Sequence, residues 1–168
     1  MTATVLEFTP ARGFKKATTA EIKRALVKHF KHKFSVTKGR GTASRWTDVR
    51  WTDGPPEPVV RKFLAIYNDT SRDDLMTDLW CGSHYTSHNR DISNDALMFM
   101  AAAVAKKYGM PKPRFKVKPN WYRTGYHLEY AVDPIIDDRT GYHGDRFSTL
   151  VHRATWHYDF NKGEEVAA

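Results

Sequence analysis

Residues 45–56 read Arg45-Trp46-Thr47-Asp48-Val49-Arg50-Trp51-Thr52-Asp53-Gly54-Pro55-Pro56. Side chains of a strand alternate with period two, so Thr47, Val49 and Trp51 share the core face of a strand over Arg45–Trp51. Trp46, Asp48 and Arg50 then face outward. Asp53-Gly54-Pro55-Pro56 stops this strand and opens a helix, because proline suits a first helical turn, where its missing N–H has no partner to lose. Val60, Phe63, Leu64 and Tyr67 continue at helical spacing to about Asn68. A chain that changes period across one such junction mixes strand and helix.

Upstream, Thr18-Thr19-Ala20-Glu21 has the form of a capping box, a hydroxyl followed three residues later by Glu. It predicts a helix running to about Lys31. Ile22, Ala25, Leu26, His29 and Phe30 fall on one side of that helix, and Arg24, Lys28 and Lys31 form a basic stripe on the other. A helix this short is marginal alone in water, so its apolar side must dock. Phe34-Ser35-Val36-Thr37 reads as a strand, and Lys38–Ser44 as a flexible basic turn. The two strands make a hairpin.

Downstream, Leu75–Trp80 reads as a short strand and the residues after it as a polar loop containing histidine. Ser93 is an N-cap for a helix to Tyr108, with Ile92 and Leu97 placed for a hydrophobic staple. Gly109 and Pro111 stop this helix, and Leu97, Met100, Ala101, Val104 and Tyr108 form its buried face. Arg114–Lys118 alternates, as does the run carrying Tyr126, Leu128, Tyr130 and Val132. Residues 133–146 read as a Gly/Asp-rich loop. Leu150, His152, Ala154, Trp156, Tyr158 and Phe160 alternate again and predict a last strand, before a frayed acidic tail, Glu164–Ala168. The expected fold is a single α+β domain over residues 1–168. Three main helices pack on antiparallel β-sheet, and the front half runs helix-strand-strand-helix.

The chain's 168 residues suffice for a core without staples. Its 27 Lys+Arg against 19 Asp+Glu give +8, which favours anionic partners and argues against a DNA mimic. The charge is segregated: residues 1–50 carry +9, residues 51–100 carry −4 and residues 101–168 carry +3. The one cysteine, Cys81, permits no internal disulfide and fits a reducing compartment. Glu7 and Pro10 stand where a secretory signal needs an apolar core. The longest apolar run, Ala96–Ala105, is about half of what spans a bilayer. These features lead us to expect a cytoplasmic protein with no membrane partner.

The helix after Thr18, then Lys33-Phe34-Ser35-Val36, a Gly/Ser/Thr-rich loop, the Asp48–Pro55 string, a second helix and Met76-Thr77-Asp78 together resemble the large polyvalent protein-associated domain 29 family over roughly residues 18–93. The family has no established catalytic residues to carry over. It is similar to domains that phages and mobile elements place in proteins acting in a bacterial host. The resemblance implies a phage or plasmid accessory protein working in the host cytoplasm, and it leaves the C-terminal half untouched.

Several arrangements suggest chemistry. Cys81, His84 and His88 have metal-like spacing, with Asp78 or Asp91 as a fourth ligand, but they lie in a polar stretch without a second Cys pair. Asp73, Asp74 and Asp78 form an acidic turn of the kind that binds magnesium or is simply solvated. His127, His143, His152 and His157 are scattered through the last third, near Glu129 and Asp145. Of these, His152 falls on the apolar side beside Leu150 and Ala154, as a hydrogen-bonded core histidine would. No zinc-deaminase signature and no phosphate-binding loop is present. We therefore expect no catalytic residue, no metal and no cofactor. The expected nucleic-acid-binding set is Arg24, Lys28, Lys31, Lys38, Arg40, Trp46 and Arg50, since cations neutralise phosphates and an exposed aromatic stacks on a base. Lys112, Arg114, Lys116 and Lys118 form a secondary basic edge, which equally serves to protect a strand edge from aggregation. The expected partner is nucleic acid, DNA or RNA, or else an acidic host protein. A small metal-dependent enzyme acting on nucleic acid is the remaining alternative.

Overall fold

The Thr18 backbone N–H and hydroxyl both donate to Glu21 Oε2 at 2.8 Å, and Thr18 Oγ1 accepts from the Glu21 N–H at 3.3 Å. The expected capping box is therefore formed, and it opens α1 (Thr19–Phe30) in a computed structural model of the chain. The structure describes residues 13–72, 79–81, 84–110, 115–120, 125–130, 133–137 and 145–165. They divide into two compact units, one from Met1–Arg50 and Val59–Asn89, the other from Trp51–Pro58 and Arg90–Ala168.

In the first unit α1 buries Ile22 and Leu26. It is followed by β1 (Ser35–Lys38) and β2 (Trp46–Thr52), which pair antiparallel with Val36 opposite Val49. Val49 is fully buried and Trp46 half exposed, as the alternation predicts. The helix after the prolines is α2 (Glu57–Leu64), prolonged by a three-ten turn to Tyr67. Val60, Leu64 and Tyr67 are buried. The rings of His29 and Phe30 on α1 meet Phe63 on α2 at 4.7 and 5.3 Å, which docks the short helix.

β3 (Thr70–Arg72) pairs with β4 (Leu79–Cys81). The expected polar loop is instead a strand, β5 (Tyr85–Asp91), which joins the sheet in the order β1-β2-β5. Tyr85 N–H donates to the Arg45 carbonyl at 3.1 Å and Asp53 N–H to the Asp91 carbonyl at 2.7 Å. Start lies beside start and end beside end, so β5 runs parallel to β2 with α2 inside the crossover.

In the second unit Ser93 Oγ accepts from the Ala96 N–H at 3.2 Å and caps α3 (Asn94–Lys107), which Gly109 ends at φ 63°. β6 (Phe115–Asn120) and β7 (Gly125–Tyr130) pair antiparallel. Within the expected Gly/Asp-rich loop, β8 (Ile135–Asp137) pairs with β9 (Asp145–Arg146). The expected last strand is a helix, α4 (Phe147–His157), which buries Phe147, Leu150, Val151 and Thr155. That spacing of i, i+3, i+4, i+8 is one helical face, and it packs with Met100, Ala101, Val104 and Ala105 of α3. His152 is consequently exposed rather than a core histidine. Part of the expected frayed tail, β11 (Glu164–Glu165), pairs with β10 (Tyr158–Asp159). The fold class is α+β, with four α-helices among the described residues. No helix among the described residues is long and apolar enough to cross a membrane.

The Asp53-Gly54-Pro55-Pro56 junction belongs to the second unit. Asp53 and Gly54 both take left-handed backbone, φ 55° and 58°. The turn they make is held by Asp53 Oδ1 accepting from the Ser93 N–H at 2.8 Å and by Trp51 Nε1 donating to the Pro55 carbonyl at 2.9 Å. Arg90 completes it. Its guanidinium donates to five backbone carbonyls: Asp53 at 2.8 Å, Gly54 at 2.9 Å, Thr155 at 3.0 Å, Trp156 at 3.4 Å and Tyr158 at 2.7 Å. Two of these are terminal carbonyls of α4, which a helix leaves without intrahelical partners. Burial pulls the Arg90 pKa down to about 10, opposed by Asp53, Asp159 and Glu57, so it remains a cation at neutral pH.

Candidate nucleic-acid interface

Arg24, Lys28 and Lys31 are all exposed on α1 and engage no ion pair among the described residues. Lys31 sits at the helix end with φ 54°, its N–H donating to the Val27 carbonyl at 2.9 Å. Lys28 and Lys31 line an open depression of about 650 Å³ together with Lys23, Lys33, His32, Val27 and Phe34. That lining has four lysines and no carboxylate. Arg24 is not part of it. A second depression, about 530 Å³, lies over the first turn of the same helix and is lined by Lys16, Lys38, Arg45, Ser44 and Glu21 among others. A helix of 12 residues is roughly 18 Å long, so one helix carries cations from end to end.

The hairpin turn is more ordered than a flexible loop. Ala43 N–H donates to the Arg40 carbonyl and Ser44 N–H to the Gly41 carbonyl, both at 3.1 Å, forming a three-ten turn over Gly41–Ala43. Gly39 is required there: a Cβ would stand 2.1 Å from the Ala43 carbonyl oxygen. This turn holds Lys38 and Arg40 exposed. Beside it the Trp46 ring is 47% exposed and lies 5.1 Å from the ring of Tyr85, at an angle of 56°. Arg50, by contrast, is paired through its Nε with Asp48 at 2.6 Å, so its charge is partly offset by a carboxylate.

The carboxylates of the first unit are occupied within the fold. Among its described residues they are Glu21, Asp48 and Asp69. Glu21 belongs to the capping box, and the hydrogen bonds from Thr18 hold its pKa below the usual carboxylate value. Asp48 accepts from Arg50 and from Ser87 at 2.9 Å. Asp69 is buried and accepts the His84 N–H at 2.8 Å.

The remaining candidates divide differently. Lys116 and Lys118 are exposed, but Glu129 lies across the ladder from Lys116 and pairs with Lys118 at 2.5 Å. Lys112 and Arg114 lie outside the described residues, as do Asp73, Asp74, Asp78 and His143. The Cys81 side chain is likewise outside them. His84 packs its ring on Phe14 and His88 lies on β5. Among the described residues no three His, Cys, Asp or Glu side chains are grouped to hold a metal ion. In the second unit His127, His152, Asp91, Ser148 and Trp156 line a cavity of about 290 Å³. His157 lies elsewhere on α4.

The model of the family described as large polyvalent protein associated domain 29 matches residues 14–102, just over half of the chain. The chain belongs to this family. The large polyvalent protein associated domain 29 match takes in the whole basic helix, the hairpin, β5 and the Asp53-Gly54 turn, and it ends inside α3. Membership points to a phage- or mobile-element-associated protein. No curated protein and no solved structure matches the chain.

Sequence reading overlooked Lys23, Lys33, Arg45 and Tyr85 as parts of this surface. Lys23 is 100° from Arg24, so a wider stripe would have included it. Tyr85 had no local signal, because its place beside Trp46 depends on the parallel pairing of β5.

Proposed function

We propose that this member of the large polyvalent protein associated domain 29 family is a non-enzymatic accessory protein that binds nucleic acid through α1 and the hairpin turn. One observation carries the reading. The first unit's described carboxylates are occupied within the fold, while the cations of α1 and the turn are exposed and make no ion pair among the described residues. Such a surface gains by exchanging condensed counterions on a phosphate backbone for its own charges. The host cytoplasm is where it would act.

Salt-titrated binding to a generic oligonucleotide tests this. Each phosphate neutralised contributes about 0.7 to the log–log salt slope on single strands and about 0.9 on duplex DNA. Replacing Arg24, Lys28 and Lys31 together by Ala is expected to flatten the slope by about 2 to 3. Absence of binding at low salt would overturn the reading.

A second reading has its own observation. Val27 is 40% exposed amid the lysines of the larger depression, which suits an acidic host protein with an apolar anchor. Partners that persist in a pull-down after nuclease treatment, and that Val27→Asp releases, would promote it. The non-enzymatic part has a direct test as well. Turnover of nucleic acid that disappears in His127→Ala and His152→Ala would overturn it and place an active site in the second unit's cavity.

A further inference from the structure

The geometry at the hairpin end points to single-stranded nucleic acid as the ligand, with Trp46 and Tyr85 as its base-stacking platform; this inference rests on the nucleic-acid reading above. Trp46 opens β2 and Tyr85 opens β5, so two aromatic side chains stand together at the same end of two neighbouring strands. The Tyr85 N–H bond to the Arg45 carbonyl fixes that neighbourhood at the backbone. Trp46 leaves nearly half of its surface in water, at 47% exposure, although tryptophan is usually mostly buried. Nothing in the core needs it there: the structural tryptophan of this strand is Trp51, which is 3% exposed.

The surroundings complete the platform. Arg40 is exposed on the turn that leads to Trp46, a turn closed by the Gly39 N–H bond to the Trp46 carbonyl at 2.9 Å, and Lys38 and Arg45 are exposed at the same hairpin end on the Thr47 face. An exposed ring at a hairpin end that carries cations on its turn and on its other face is suited to a base whose face is free and whose phosphates run past that end. In a duplex those faces are already stacked, so the rings would add nothing there, and only the phosphate contacts would remain.

The test compares one oligonucleotide sequence as single strand, as duplex, and as a single strand with abasic sites that keep every phosphate. The single strand is expected to bind at least tenfold tighter than the duplex at equal salt. Trp46→Leu is expected to weaken single-strand binding by roughly five- to 150-fold with the salt slope unchanged, the range that loss of one base stack gives. Trp46→Phe should keep most of the affinity. The abasic strand should lose a similar factor on the unaltered protein and little more on Trp46→Leu. Duplex bound as tightly as single strand, or an abasic strand bound as well as the intact one, overturns this inference and leaves the nucleic-acid reading standing. No binding to any of the three overturns both. Circular dichroism of Trp46→Leu matching the unaltered protein ties its loss of affinity to the missing ring.

Discussion

Lys31 and Asp53 are non-glycine residues held in left-handed backbone, at φ 54° and 55°. For an L-residue this costs roughly 1–2 kcal/mol. Asp53 has a local reason to be there, because its carboxylate anchors the Ser93 N–H at the entry to α3. Lys31 closes α1 at a position where glycine is the usual occupant, and its side chain makes no hydrogen bond or ion pair among the described residues that would compensate. On the proposed nucleic-acid reading, this strain is offset by the cation that Lys31 presents to the ligand. Lys31→Gly is therefore expected to stabilise the protein by about 1 kcal/mol while weakening nucleic-acid binding. Thermal unfolding and a salt-titrated binding curve on the same variant check the two signs. Lost affinity together with lost stability would assign Lys31 to the fold and not to the ligand.

Whether α1 forms at all depends on its first turn, and this contribution is separable. Thr18→Ala removes the hydroxyl side of the capping box, leaving the backbone N–H of residue 18 on Glu21, and is expected to cost about 1 kcal/mol. Glu21 adds a pH dependence of known sign. Its folded pKa lies below its ordinary value of 4.5. Its contribution is thus fully present above the unfolded pKa and is lost as pH falls through the lowered folded value. Glu21→Gln keeps a cap acceptor and should remove that acid-side dependence, which urea denaturation at neutral and acid pH reads directly. This helix was legible because both its cap and its apolar side are written locally. The same holds for the hairpin and α3. α4 was not legible as a helix. Leu150, Ala154, Trp156 and Tyr158 alternate with period two, while Phe147, Leu150, Val151 and Thr155 carry the helical period in the same residues. The second pattern won because α3 offers that face a packed core, and because Asp133 accepts the Ser148 N–H at 2.9 Å at the helix start. β5 failed for the opposite reason. Tyr-Thr-Ser-His-Asn-Arg-Asp has no apolar alternation, and its pairing with β2 supplies what the sequence does not show locally. The candidate site was half legible on the same terms: the α1 stripe can be read along one helix, whereas the Trp46–Tyr85 pair needs two strands brought together.

At the scale of the molecule, the family match and the second unit's hydrogen bonding do not end at the same place. The match covers residues 14–102, yet three of the five carbonyls that Arg90 holds belong to Thr155, Trp156 and Tyr158. Phe160 adds a further tie: its N–H donates to the Gly54 carbonyl at 3.0 Å and its ring lies 5.3 Å from the Arg90 guanidinium carbon. The Asp53-Gly54 turn is therefore completed in this chain by residues beyond the matched region. Arg90 is the side chain that makes the junction a unit, since a guanidinium offers five donors in a fixed plane and all five are used. Removing it strands buried carbonyls at the turn and at the end of α4, and each such group costs about 1–3 kcal/mol, less when they share relief. Arg90→Met is expected to destabilise the second unit by about 3–5 kcal/mol. Arg90→Lys should recover less than half of that loss, because three donors on one nitrogen cannot reach five carbonyls spread over two segments. Urea denaturation followed by tryptophan fluorescence measures the loss, and hydrogen exchange at the amides of residues 150–160 locates it. A loss below about 1 kcal/mol for Arg90→Met would mean that water replaces the guanidinium at these carbonyls. The junction would then be held by its backbone turn alone.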